Sequence, residues 1–251
     1  MTMAVGAIPV DSRWIGYDGY FGGYVVGLLV DAAAAASTYR LSSISVNFVS
    51  RILVDAVEID VERVHRGRST ELLRLVLWQD GRIRVHATAE LLRAPTPEVA
   101  PHTWVRSREP ADPPVEDIGL GRDHLPFDDL IEMRLAAPPR IDAGTTSWVR
   151  FRPGVSETGL VTGEAVVAAL LDMPTPGLFG VPDPPAFVPS IDYTVHFGPG
   201  APEEPREWVR LDHATAWVTA HHCVDEVTAW NADGQVLATV RQTRSIRWEP
   251  R

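Results

Sequence analysis

One arrangement of residues occurs twice in this chain of 251 residues, and a fold that satisfies both copies has to be built from two like units. In the first copy an apolar stretch, Phe21-Gly-Gly-Tyr-Val-Val-Gly-Leu-Leu-Val-Asp-Ala-Ala-Ala-Ala-Ala, precedes four segments rich in Val, Ile, Leu and Thr, at 43–50, 56–65, 70–79 and 82–92. In the second, an apolar stretch at about 163–172 precedes similar segments near 188–197, 207–219, 224–230 and 235–248. The apolar stretches are hydrophobic nearly all round, as expected of helices enclosed by other structure. The segments alternate in part between apolar and polar residues, which predicts strands. Turn signals at Arg66-Gly-Arg and Gln79-Asp-Gly make the last three strands of the first copy an antiparallel meander. Ser43-Ile-Ser-Val-Asn-Phe answers Ser190-Ile-Asp-Tyr-Thr-Val-His-Phe, and Trp78-Gln-Asp-Gly-Arg-Ile answers Trp230-Asn-Ala-Asp-Gly-Gln-Val. Between the copies lie seven prolines from Pro95 to Pro126 with little periodicity, the texture of an extended connection. The expected organisation is a unit at 1–95, a proline-rich connection at 96–127 and a second unit at 128–251.

Composition excludes several kinds of partner. A formal charge of −10, from 33 acidic against 23 basic residues, offers nothing to a phosphate backbone, so nucleic acid is not an expected partner. The apolar run at 24–36 is interrupted by Gly27 and Asp31 and falls short of the roughly 20 residues a membrane span needs. The first eleven residues lack the basic region and apolar core of a signal peptide, and the single cysteine, Cys223, cannot form an internal disulfide. A cytoplasmic location and a core thiol are expected.

The segment Gly19-Tyr-Phe-Gly-Gly-Tyr-Val-Val-Gly-Leu resembles the opening of the central helix in the TesB-like type II acyl-CoA thioesterases, and the likeness runs through both halves. The resemblance implies an α+β double hot-dog, in which each half is an antiparallel sheet curled around a helix. It also implies hydrolysis of an acyl-CoA to free CoA and a carboxylic acid, with no metal or organic cofactor, by a protein that forms homo-oligomers.

That family holds its attacking water with an Asp, a Thr or Ser, and a Gln. By position the resemblance carries these roles to Asp172, in Ala-Leu-Leu-Asp-Met, to Ser190, in Pro-Ser-Ile-Asp-Tyr, and to Gln242, in Arg-Gln-Thr-Arg. Ser190 stands where Thr is commoner and keeps the hydroxyl. Such a set suits thioester hydrolysis, which needs an oriented water, an acceptor for its proton and donors for the developing oxyanion. Taken alone, each residue has a plainer reading: Asp172 as a helix-terminal acid before Pro174 and Pro176, Ser190 as a strand serine, Gln242 as a solvated amide. Gly22 and Gly23 either bring a thioester close to the N–H groups of a helix N-terminus or form a tight turn for packing. The position answering Gln242 in the first half is Ala89, which points to one site per chain. His65, His86, His196, His213, His221 and His222 form no metal-binding spacing, and no Gly-x-Ser-x-Gly elbow is present. A binding protein without turnover and a hot-dog enoyl-CoA hydratase are the alternatives. The hydratase would place a His close to its Asp, and none follows Asp172.

Overall fold

The computed structural model describes residues 2–53, 56–94, 107–109, 111–114, 124–135, 137–155, 157–198 and 207–248. In chain order the strands are β1 (Thr2–Pro9), β2 (Ile15–Gly16) and β3 (Gly19–Tyr20), followed by helix α1 (Gly22–Ala35). Then come β4 (Arg40–Phe48), β5 (Ala56–Arg66), β6 (Thr70–Gln79) and β7 (Arg82–Leu92). The second half has β8 (Ile131–Leu135), β9 (Thr145–Phe151), α2 (Gly163–Leu170), β10 (Asp192–Phe197), β11 (Val209–Val218), β12 (His222–Trp230) and β13 (Val236–Ser245).

Eleven strands form one antiparallel sheet in the order β1-β5-β6-β7-β4-β10-β13-β12-β11-β9-β8. It is the double hot-dog that the resemblance implies, with β4 and β10 joining the halves. The two meander turns follow their glycines. Asp80 and Gly81 both have positive φ in the first, and Gly234 does in the second, as two-residue and related hairpin turns require.

The pairing registers turn the repeat into a residue-by-residue correspondence. At the joint, Thr194 lies opposite Ser45 and their hydroxyls bond at 3.2 Å. From there Thr194↔Arg241 answers Ser45↔Thr88, Glu226↔Arg241 answers Arg74↔Thr88, and His213↔Val227 answers Val61↔Leu75. The bulge between Thr215 and Trp217 is matched by the one between Arg63 and His65. Gln242 is therefore answered by Ala89, and the bridge between Ser190 and Arg244 by the pair Leu41↔Leu91.

The helices lie against one another on the inner face of the sheet and run antiparallel. A Cβ on Gly23 would meet Ala169 O at 2.5 Å, and one on Gly27 would meet Ala165 O at 3.0 Å, so glycine is what lets the two backbones approach. Each helix also caps the other. α1 has no side-chain cap of its own at Phe21, and the Gly23 N–H donates to Asp172 at 3.0 Å. In return Asp31 accepts from the N–H groups of Val161 and Thr162, both at 2.8 Å, ahead of α2. These carboxylates sit where unpaired helix donors favour negative charge.

Five strands, β1, β2, β3, β8 and β9, were not expected from the sequence. In β9 the inward positions Thr145 and Ser147 are polar yet buried, and Trp148 on the opposite face is buried as well, so the alternation is blurred. The first strand of the second meander becomes regular only at Asp192, and α2 stops at Leu170, two residues before Asp172. Most of the 96–127 connection lies outside the described residues. Two of its described parts rest on the second half, where Ser107 bridges Gln235 and Trp148 Nε1 donates to Ala111 O at 3.2 Å, while Phe127 packs on Phe21 of the first half, ring centroids 5.0 Å apart. Among the described residues no helix is long and apolar enough to cross a membrane.

Candidate active site

Asp172 follows α2 in a tightened last turn, where Met173 N donates to Leu170 O at 3.0 Å and Pro174 ends the helix. The turn is fixed from the sheet by Tyr193, whose buried hydroxyl donates to Ala168 O at 2.8 Å. Ser190 precedes β10 and is held from both sides by β13: Ile191 N donates to Thr243 O and Ser245 N to Pro189 O. Gln242 and Arg244 lie two apart on β13, hence on one face, and that face points inward.

These elements bring Asp172, Ser190 and Gln242 into one polar cluster. Ser190 Oγ donates to Gln242 Oε1 at 3.1 Å. Gln242 Nε2 is buried close enough to the Asp172 carboxyl to lower its pKa, yet has no acceptor at hydrogen-bond geometry among the described residues. The cluster contains a residue the sequence reading passed over. Arg244 Nη2 donates to Asp172 Oδ1 at 2.9 Å and Nη1 to Ser190 Oγ at 3.2 Å. Its Nε lies 3.0 Å from Asp225 Oδ2, and Asp225 Oδ1 accepts from Thr215 at 2.8 Å and lies 3.4 Å from His213 Nε2. The available signal was strand parity: if Gln242 faces inward, Arg244 must as well. Asp225 and His213 had only the weaker signal of polar residues at inward positions of otherwise apolar strands.

Gly22 and Gly23 border the same carboxylate. The Gly23 N–H is already committed to Asp172, and a Cβ at Gly22 would come within 3.0 Å of Asp172 Oδ2 and 3.5 Å of Phe48. The two readings of this glycine pair are thus divided: Gly23 serves packing and holds Asp172, while Gly22 borders the carboxylate at the half-buried end of α1.

Residues 10–92 match the model of the acyl-CoA thioesterase N-terminal domain, and residues 110–246 match that of the acyl-CoA thioesterase C-terminal domain. The chain belongs to this acyl-CoA thioesterase family. It is a thioester hydrolase by that membership, and solved structures share its fold. A protein of unknown function with a hot dog fold from Alicyclobacillus acidocaldarius superposes with a TM-score of 0.80 at 21% identity, over 97% of this chain and 93% of that one. The acyl-CoA thioesterase II TesB2 from Mycobacterium marinum gives 0.72 at 19% identity, over 96% and 92%. The tesB protein of Mycobacterium avium subs paratuberculosis gives 0.70 at 16%, over 90% and 87%. No curated protein sequence matches the chain.

Electrostatics separate the two acids of this thioesterase. Burial pushes the Asp172 carboxyl above its ordinary value, and the opposing pull of Arg244, the Gly23 N–H and Gln242 offsets only part of the shift. Burial acts on Asp225 in the same direction, but its contacts with His213, Arg244 and Thr215 outweigh it and hold that carboxyl below its ordinary value. The two buried acids of the cluster are thus shifted in opposite directions. Cys223 is a core thiol packed with Leu178, Val188 and Ile246, and burial raises its pKa to about 11. No group of three or more His, Cys, Asp or Glu side chains among the described residues could hold a metal. A separate hollow of about 370 Å³, lined by Trp148, Arg150, Trp208 and Arg210, lies by β9 and β11; its arginines are paired with Glu132 and Asp212.

Proposed function

We propose that the chain hydrolyses an acyl-CoA by direct attack of a water held between Asp172 and Gln242, with no covalent intermediate. The observation that carries this reading is the buried Gln242 Nε2, without an acceptor at hydrogen-bond geometry among the described residues, beside the buried carboxyl of Asp172. Asp172 uses one lone pair on each oxygen for Arg244 and Gly23, and a carboxylate has about four acceptor sites, so it can still take a proton from water. The water's oxygen accepts from Gln242 Nε2, which leaves a lone pair for the thioester carbonyl. Ser190 orients the amide, and the Gly22 N–H at the start of α1 is the proposed donor to the oxyanion. The resemblance also brings with it a homo-oligomer, and the proline-rich texture of the connection supports the proposed unit boundaries at 95/96 and 127/128.

The test is thiol release from a panel of acyl-CoAs, followed with a chromogenic thiol reagent. Saturable release from at least one acyl-CoA is expected. Binding without release would make the chain a binding protein, and hydration of an enoyl-CoA in place of release would make it a hydratase. Ser190→Ala should lower kcat by about tenfold or less, the scale of one neutral hydrogen bond, and Gln242→Ala by more, because Nε2 touches the water itself. A Ser190→Ala variant less active than Gln242→Ala would contradict that ordering.

The acid limb gives a further expectation. Only ionised Asp172 accepts a proton, so kcat/KM should fall on acidification with a midpoint above the roughly 3.9 of an ordinary aspartate. The linked stability runs the opposite way. The native state holds the Asp172 proton more tightly than the unfolded chain, so this group stabilises most below the ordinary value, and that stability is lost as pH rises through the raised one. Asp225, with its lowered value, stabilises above the ordinary range and loses this as pH falls through its folded value. A measured activity midpoint at or below the ordinary aspartate value would contradict the assignment.

A further inference from the structure

The geometry points to Arg244 as the positioning residue that aims Asp172 directly and Gln242 through Ser190, with Asp225 and His213 as its mount. This inference rests on the proposed roles of Asp172 and Gln242 and adds how they come to be aimed.

A guanidinium can only donate. Nη1 donates to Ser190 Oγ at 3.2 Å, and the serine proton points at Gln242 Oε1, 3.1 Å away. An amide whose oxygen is fixed toward Ser190 must turn its NH2 the other way, toward Asp172. The chain Arg244→Ser190→Gln242 thus removes the flip ambiguity of a glutamine and ensures that it offers a donor, not an acceptor, to the water. The same guanidinium fixes the carboxylate through Nη2 at 2.9 Å. Arg244 therefore orients both groups that would touch the water without touching it.

The first half of the chain argues that this network is not needed for folding. By the strand registers, Arg244 is answered by Leu91, Asp225 by Leu73, His213 by Val61, Gln242 by Ala89 and Ser190 by Leu41. All five counterparts are buried and apolar. The same fold closes over leucine and valine where the second half buries a cation, an anion and an imidazole, and such charges carry a desolvation cost. A half-buried carboxyl without a guanidinium is tolerated as well, since Asp31 is satisfied by Val161 and Thr162 alone among the described residues.

The decisive experiment transplants the first half's residues as Arg244→Leu/Asp225→Leu/His213→Val, beside the single variant Arg244→Lys and the control Asp172→Asn. The triple variant should unfold cooperatively at a temperature within a few degrees of wild type, and its kcat should fall by about 10²-fold, the effect of a misaimed catalytic group. Arg244→Lys keeps a charge but loses the fork. Its kcat should also fall while KM changes by less than about threefold, because aim and not substrate binding is lost. In the triple variant the acid limb of any residual kcat/KM should move to higher pH. The groups facing Asp172 are then the Gly23 N–H, Gln242 and Tyr193, with no cation among them. A triple variant that folds and turns over like wild type overturns the proposal, and so does one that cannot fold, since the network would then be structural. Wild-type kcat in Arg244→Lys overturns the role of the fork. If Asp172→Asn is itself fully active, the hydrolytic reading has failed; if Asp172→Asn is inactive while Arg244→Lys is unaffected, only the positioning role has.

Discussion

Asp172→Asn lowers thiol release by roughly 10²–10⁴-fold, the usual contribution of a positioned general base. The substitution keeps volume and shape and removes the proton acceptor. Its effect on the fold is bounded by the contacts it disturbs. An asparagine can still accept from either Arg244 or the Gly23 N–H but not both, which costs about 1–3 kcal/mol for the group left unmet. Against this, a buried carboxyl held above its ordinary pKa is itself unfavourable when ionised, so its removal returns part of the loss. Arg244 keeps Asp225. Near-wild-type circular dichroism together with lost turnover is therefore expected. Unaltered turnover would remove Asp172 from the chemistry, whatever else the site does.

Gly23→Ala is expected to damage stability and catalysis together. Its Cβ would stand 2.5 Å from Ala169 O and 2.9 Å from Asp172 Cβ, with Phe21 at 2.9 Å on the third side. Two of these atoms are backbone or next to it, so relief requires the helices to move apart, a change worth about 1–3 kcal/mol. For a chain of this size that is a fall in Tm of several degrees, readable by thermal unfolding. The same movement shifts Asp172 away from Gln242 and weakens the Gly23 N–H bond that holds it. A displacement near 1 Å costs on the order of 10²-fold in kcat. Gly22→Ala meets Asp172 Oδ2 at 3.0 Å and otherwise only the flexible end of Phe48, so it should spare stability more than activity. Equal stability of the two variants would show that helix contact is not what Gly23 provides.

The repeat was the most legible part of the sequence because two independent signals coincide in it. All-round apolar stretches gave α1 and α2, and partly alternating segments bounded by the Arg66-Gly-Arg and Gln79-Asp-Gly turns gave β5, β6 and β7 within a residue of their observed ends. β9 escaped because Thr145 and Ser147 are polar at buried positions and Trp148, on the opposite face, is buried as well, which blurs the usual code. β8 is only five residues long, too short for its alternation to stand out. At the site, Asp172, Ser190 and Gln242 were legible only through family resemblance, since singly each has an ordinary structural reading. Arg244 was missed because a charged residue among polar neighbours reads as solvated. Nothing local says that β13 is covered on that face. Its partners Asp225 and His213 come from other strands, and their convergence is a property of register that one-dimensional patterns do not carry. The comparison that exposes them lies within the molecule, where Leu73, Leu91 and Val61 show what the fold places there without a site.

A crystal structure with a non-cleavable thioether analogue of the best acyl-CoA substrate tests the central claim most directly. The account predicts an ordered water bonded to both the Asp172 carboxylate and Gln242 Nε2, about 3–3.5 Å from the carbon that replaces the thioester carbonyl. An analogue whose reacting carbon lies elsewhere, for instance at the hollow between Trp148 and Trp208, or one seated at the site with no solvent between Asp172 and Gln242, would contradict it.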